Sequence, residues 1–253
     1  MTQENTPSLW SDKIPRKVGA SHKYDYGHVV IYGAPELTGA TRLAAEGCAR
    51  TGAGLVTVLA PPGVGEIYRE TLRPHILVRD DLDWDDERVT VKLYGSGGVS
   101  KTPDYSSILP TVLDADALND LPGTLGGHFV LTPHEGEFAR VFPDLKGSRE
   151  ERAVAAARKS GAVIVLKGEQ TVIAAPDGRV VINTHASPYL ASAGTGDVLA
   201  GMIAGFIGQG MEPFDAACAA VWIHGECGVR IGSGLVASDL PGAIPSVLQD
   251  LLV

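Results

Sequence analysis

The order of three segments near the N-terminus narrows the possible folds more than any other feature of the chain. The β-branched run His28-Val-Val-Ile-Tyr32 reads as a buried strand, and a glycine-rich turn follows it. Ala40 to Arg50 is alanine-rich and helical, and Gly54 to Leu59 is a second strand that stops before Pro61-Pro62. A strand, a helix and a strand within about thirty residues form a βαβ unit, which implies a parallel sheet. The same reading places strands at His75–Val78, Val89–Tyr94, Thr111–Asp114, Phe129–Thr132 and Ala162–Leu166. Ser148 followed by Glu151 is a capping box that opens a helix running through Lys159.

The pattern then changes. Thr171–Ala175 and Arg179–Asn183 flank Pro176-Asp177-Gly178, and Asp-Gly between two β-branched runs signals an antiparallel hairpin. Two long helices follow, at about Thr195–Gln209 and Pro213–Ile231, and a short one lies near Ile244–Leu252. The expected fold is α/β, a mostly parallel sheet with helices on both faces and an antiparallel edge hairpin, forming one domain over 1–253. Met1 to Pro15 carries Gln, Glu, Asn and Asp with no apolar core, so it is not a signal peptide, and residues 1–13 read as a disordered or loosely packed segment.

Composition excludes several classes of function. With Lys+Arg 21 against Asp+Glu 30, the formal charge of −9 disfavours nucleic acids and anionic membranes as partners. The longest uncharged apolar stretch, Val198–Met211, is shorter than the ~18 residues of a spanning helix and is broken by glycines. Cys48, Cys218 and Cys227 form no CxxC, which argues against a disulfide framework or zinc site and fits a reducing cytoplasm. The acidic stretch Asp80–Glu87 reads as a solvated loop, with metal binding as the alternative.

The chemistry is concentrated in Ala191-Ser-Ala-Gly194-Thr195-Gly196-Asp197-Val-Leu-Ala-Gly201. Val198, Leu199, Met202, Ile203, Phe206 and Ile207 repeat at helical spacing, so a buried helix begins near Gly196. Its first turn offers unpaired N–H groups at the positive end of the dipole, and glycines there let an anion approach. Asp197 at the same turn can deprotonate a hydroxyl that attacks a bound phosphate, or can simply complement the helix dipole. Lys167 ends an apolar strand ahead of Gly168, suiting an ammonium that reaches a phosphate or a solvated strand end. His134 also ends a strand, where parallel sheets bind ligands, although a surface histidine has the same signature. Ala40 permits close backbone approach or plain helix packing, and His224 reads as packing or capping. Asp114 and Asp116 divide evenly between a magnesium-linked and a turn-forming role.

Gly194-Thr-Gly-Asp197 opening a Gly/Ala-rich helix resembles the signature of the ribokinase-like fold. Lys23-Tyr-Asp-Tyr-Gly-His28, Gly39-Ala40 and Thr51-Gly-Ala-Gly-Leu55 resemble the N-terminal signature of the NAD(P)H-hydrate dehydratases. Val112-Leu-Asp-Ala-Asp-Ala-Leu-Asn119, Leu131-Thr-Pro-His-Glu-Gly-Glu137, Val165-Leu-Lys-Gly-Glu-Gln-Thr171 and Ala237-Ser-Asp-Leu240 are similar to that family in the same order. The resemblance implies nucleotide-dependent dehydration of hydrated NADH or NADPH, with ADP or ATP as phosphoryl donor and Mg2+. It implies substrate contacts at Ala40, Gly97, His134 and Asp197, with Asp197 as catalytic base. Nucleotide contacts are implied at Lys167, Gly168, Glu169, Gln170, Thr171 and Gly196, and an anion hole at Gly194, Thr195 and Gly196. A homo-oligomer, as a tetramer, and a separate epimerase are further implications, since this length leaves no room for an epimerase domain.

The chain departs from the family at Gly95-Ser-Gly-Gly-Val99, where a Gly-Pro-Gly-Leu-Gly loop is usual, and at Ala193, where glycine is usual. Only about a dozen residues, Val99 to Pro110, then remain for a parallel crossover, room for at most a two-turn helix. Two other functions stay open at this point. One is a small-molecule kinase of the same fold, acting on a vitamin precursor or sugar; the other is a nucleotide-binding protein with reduced catalysis.

Overall fold

The computed structural model describes residues 3–252. Ten strands form one sheet: β1 (Gln3–Glu4), β2 (His28–Tyr32), β3 (Leu55–Leu59), β4 (Leu77–Arg79), β5 (Val91–Tyr94), β6 (Thr111–Leu113), β7 (Phe129–Leu131), β8 (Val163–Leu166), β9 (Thr171–Ala174) and β10 (Val180–Asn183). Their spatial order is β1-β10-β9-β8-β7-β6-β5-β2-β3-β4, and β9 alone runs antiparallel to its neighbours. The helices are α1 (Thr38–Arg50), α2 (Gly65–Thr71), α3 (Glu135–Val141), α4 (Arg149–Ser160), α5 (Thr195–Gly208), α6 (Pro213–Ile231) and α7 (Leu240–Leu251).

Alternation along each strand divides the core in two. Val29 and Ile31 of β2 pack with α1, α5, α6 and α7, while Val30 and Tyr32 face α3, α4 and the loops beside them. The capping box expected before α4 is present, Ser148 Oγ accepting from Glu151 N and Glu151 Oε2 accepting from Ser148 N.

Residues 3–13 differ from the loosely packed segment expected of them. Gln3 and Glu4 pair with β10, and Trp10 is fully buried against Trp222. The buried Asn5 amide donates to Asn183 Oδ1 and to the Cys218 carbonyl, and its oxygen accepts from Trp10 Nε1. A few satisfied polar contacts and one aromatic anchor substitute for the apolar periodicity that the segment lacks. Met1 and Thr2 lie outside the described residues.

Helices α1 and α5 approach so closely that glycine is required between them. A Cβ on Gly201 would overlap the Ala44 carbonyl oxygen, and one on Gly47 would lie 2.7 Å from the Val198 carbonyl oxygen. Gly201→Ala is therefore expected to destabilise the fold by about 2 kcal/mol, overpacking outweighing the gain in helix propensity. In thermal unfolding this corresponds to a fall of roughly 5 °C; an unchanged midpoint would show that the helices do not meet there.

Candidate active site

Strands β2 and β5 are parallel neighbours whose chains depart in opposite directions, β2 to β3 and β5 to β6, which opens a crevice at their carboxyl ends. Thr41 ties its two sides together: Oγ1 accepts from Ala34 N at 2.9 Å and donates to the Ser96 carbonyl at 3.0 Å. The loop after β5 is a tight turn closed by Gly98 N on the Gly95 carbonyl. Gly97 has φ +86°, and a Cβ there would overlap the Leu37 carbonyl and lie 2.9 Å from Ala40 Cβ. The replaced loop thus keeps the backbone conformation only glycine adopts readily, and it brings Gly97 against Ala40. Residues 99–110 cross to β6 without a helix.

Gly194 caps α5 with φ +90°. Thr195 Oγ1 donates to the Leu190 and Ser192 carbonyls at 2.8 and 3.0 Å, locking the loop that precedes the helix. His224 Nε2 lies 2.9 Å from the Thr195 carbonyl, so this nitrogen carries the proton. Burial pushes the His224 imidazole down to about 4, keeping it neutral. His224 is thus a packing residue that also fixes the first turn of α5.

Lys167 reaches over that turn. Its Nζ is 3.0 Å from Asp114 Oδ1 and 3.9 Å from Glu137 Oε2, and a Cβ on Gly196 would lie 3.4 Å from it. Burial alone would favour loss of the ammonium proton, but Asp114, Glu137 and Asp197 outweigh it and raise the lysine above its ordinary range. Asp114 is buried and accepts from Thr132 Oγ1 at 2.6 Å and from Ser96 Oγ at 3.4 Å. Asp197 is pushed up to about 6, first by burial and then by the charge of Asp114, against a lowering by the Ser96 hydroxyl and Lys167. The result is a carboxylate ionised at neutral pH that holds a proton more tightly than an ordinary aspartate, as a general base requires.

His134 caps α3, its Nδ1 accepting from Gly136 N and Glu137 N while Glu137 Oε2 accepts from His134 N. A backbone bridge to Lys167 sets it beside the lysine. In the β8–β9 turn, Gly168, Glu169 and Gln170 are exposed, and Thr171 Oγ1 donates to the Gly168 carbonyl. Arg149 supports this turn from α4, donating to the Leu166 and Lys167 carbonyls at 3.1 Å and pairing with Glu135 at 3.2 Å.

Lys167, Gly196, Asp197 and Asp114 therefore converge, with His134 adjacent, and Ala40 and Gly97 form the neighbouring wall. Asp116 is exposed. Sequence reasoning assigned no role to Ser96, whose carbonyl joins the Ala40–Gly97 wall and whose hydroxyl joins the charged cluster. It also assigned none to Glu137, Thr132 or Arg149. Glu137 alone left a readable signal, three residues beyond a strand-ending His134 as in a capping box.

Among the described residues no group of three His, Cys, Asp or Glu could hold a metal. Asp114 and Glu137 nevertheless supply hard carboxylate oxygens beside Lys167, which fits a magnesium ion carried in by nucleotide phosphates, since that ion needs only one or two carboxylates. No helix among these residues is long and apolar enough to cross a membrane.

A family model for NAD(P)H-hydrate dehydratase matches residues 28–249. The chain is 39% identical to a bifunctional NAD(P)H-hydrate repair enzyme of Moorella thermoacetica, over 97% of this chain and 54% of that protein. It is 33% identical to the ADP-dependent (S)-NAD(P)H-hydrate dehydratase of Neisseria meningitidis serogroup B, over 88% of this chain and 84% of that one. The crystal structure of the ADP/ATP-dependent NAD(P)H-hydrate dehydratase of Bacillus subtilis, co-crystallised with ATP/Mg2+, superposes with a TM-score of 0.87 at 29% identity, covering 99% of both chains. The fold is thus the ribokinase-like one that the sequence leads one to expect. The chain spans about half the length of the bifunctional relatives it matches.

Proposed function

The chain belongs to the NAD(P)H-hydrate dehydratase family, and on that premise we propose that it uses ADP or ATP to convert hydrated NADH or NADPH back to the reduced nicotinamide nucleotide. One observation carries the reading: a base poised near neutrality, Asp197, and an ammonium, Lys167, flank the N-terminus of a buried helix opened by glycines.

Two chemical steps follow. Asp197 takes the proton of the substrate hydroxyl while its oxygen attacks the terminal phosphorus of the nucleotide, expelling AMP from ADP or ADP from ATP. Hydroxide is a poor leaving group and phosphate a good one. The ring nitrogen then pushes its electron pair into the ring, the carbon–oxygen bond breaks, phosphate leaves, and loss of a neighbouring proton restores the dihydropyridine. The N–H groups of Gly194 and Gly196 remain for the charge that develops on the phosphoryl oxygens, whereas the Thr195 N–H expected to join them is taken by the Ser192 carbonyl at 3.4 Å. Lys167 neutralises further charge from the β8 side, within reach of the Gly168–Thr171 turn that holds the nucleotide. Ala40, Gly97 and His134 line the side open to the nicotinamide. Magnesium, when bound through Asp114 or Glu137 and the nucleotide phosphates, would offset phosphate charge.

Purified protein given hydrated NADH or NADPH with ADP and with ATP in turn should restore the absorbance of reduced nicotinamide with at least one donor. A stable phosphorylated alcohol as product would establish a kinase instead. Nucleotide binding without turnover would leave a binding protein. Family resemblance further supports a tetramer, and the three free, buried cysteines suit the cytoplasm.

A further inference from the structure

We propose that the cavity between α1 and α7 binds a phosphate group of the dinucleotide substrate, an inference that rests on the dehydratase reading above. The cavity has a volume of about 520 Å³, within the range of nucleotide-sized ligand sites, and its wall includes Gly39, Arg42, Glu46, Arg50, Arg73 and Gly242.

Its charge is unbalanced. The single carboxylate among these residues, Glu46, is 3.3 Å from Arg73. Neither Arg42 nor Arg50 has a carboxylate within 4.0 Å among the described residues. Their Nε atoms are both buried without a hydrogen-bond partner, and Arg42 otherwise makes only a 3.4 Å contact to the Thr71 carbonyl. Two half-buried guanidinium groups without a counter-ion, in a chain of charge −9, leave electrostatic work for an anion. Guanidinium groups bind phosphate through paired N–H donors, so a phosphate matches the donor set.

Position points to the substrate as the source. Gly39 precedes Ala40, which touches Gly97 on the crevice wall. Leu43, also on the cavity wall, lies against Gly194 of the anion loop, where a Cβ would come within 2.5 Å of its Cδ1. The cavity therefore adjoins the reacting site, and a dinucleotide whose nicotinamide is held at Asp197 has phosphates to place elsewhere. A Cβ on Gly39 or Gly242 would meet no atom within 4 Å, so both stretches of backbone border open space.

The test is steady-state kinetics with hydrated NADH and hydrated NADPH for the wild type, Arg42→Ala, Arg50→Ala and Gly242→Leu. The last variant narrows the cavity and keeps every charge. We expect KM to rise about tenfold, as for loss of a charge-assisted hydrogen bond, with kcat within about twofold. A rise confined to hydrated NADPH identifies the ribose phosphate, and an equal rise with both identifies the diphosphate; either result supports the site. Unchanged KM in folded variants overturns it, as does a change in sedimentation mass with KM unaffected, which would make the cavity a contact between copies of the chain. If the wild type turns over neither hydrate, the dehydratase reading fails, and calorimetry with NADP+ and NAD+ still decides the cavity. About tenfold weaker binding to Arg42→Ala of at least one of them would then sustain it, and equal affinity would reject it.

Discussion

Asp197→Asn is expected to lower turnover by about 10³-fold, within the usual contribution of a general base, while nucleotide affinity stays within a few fold. The same change is expected to stabilise the protein at neutral pH. In the folded chain the Asp197 carboxyl is pushed up to about 6, by burial first and by Asp114 second. A carboxyl whose folded value lies above its unfolded value favours folding when protonated, and that contribution is lost as pH rises from about 4 through 6. At pH 8 the ionised side chain therefore costs up to about 3 kcal/mol, which asparagine removes. Thermal unfolding at pH 8 should show the variant several degrees more stable than the wild type, with the difference closing near pH 4. The wild-type kcat/KM should also fall as pH drops below about 6. Near-normal turnover in the variant would remove Asp197 from the chemistry, and equal stability at pH 8 would show that its ionisation is not opposed by the fold.

Lys167→Ala is expected to produce the second large effect, and through three separate readouts. Nucleotide binding should weaken by at least about tenfold, since a charge-assisted contact to phosphate is lost. The buried Asp114 would lose the cation 3.0 Å away, and breaking a buried pair by removing one partner costs about 3 kcal/mol. Lys167 also draws the Asp197 carboxyl downward, so its removal should move the acid limb of the activity profile to higher pH. Titration calorimetry, thermal unfolding and a pH–rate profile measure these independently. An unchanged dissociation constant would reassign the lysine to structural support of Asp114, and an unmoved acid limb would separate it electrostatically from Asp197.

The strands and long helices were legible because each depends on spacing within a dozen residues. Val198, Leu199, Met202, Ile203, Phe206 and Ile207 bury one helix, and Asp177-Gly178 turns one hairpin whatever surrounds them. Helices α2 and α3, seven residues each, are too short to display a period, and His134 is an uncommon cap. Residues 3–13 were misread because Trp10 and Asn5 are anchored by residues more than 170 positions away, in β10 and α6. The loop at Gly95–Gly98 differs from the usual pattern in side chains, yet its positive φ angles keep the turn that sets Gly97 against Ala40.

By itself the sequence determined a parallel α/β sheet, a buried helix with a glycine-opened N-terminus, and an aspartate in that helix's first turn. Those properties follow from backbone geometry and hydrophobic period, which neighbouring residues settle among themselves. Only the tertiary structure decided which charges meet there. Asp114 and Lys167 are separated by 53 residues and follow strands β6 and β8, with β7 between them in the sheet. Glu137 comes from α3, Asp197 from α5 and Ser96 from the turn after β5. The carboxylate values, the charge state of Lys167 and the anion deficit at Arg42 and Arg50 depend on distances of a few ångströms across a packed interior. Strand order and helix packing set such distances, and no spacing along the chain encodes them.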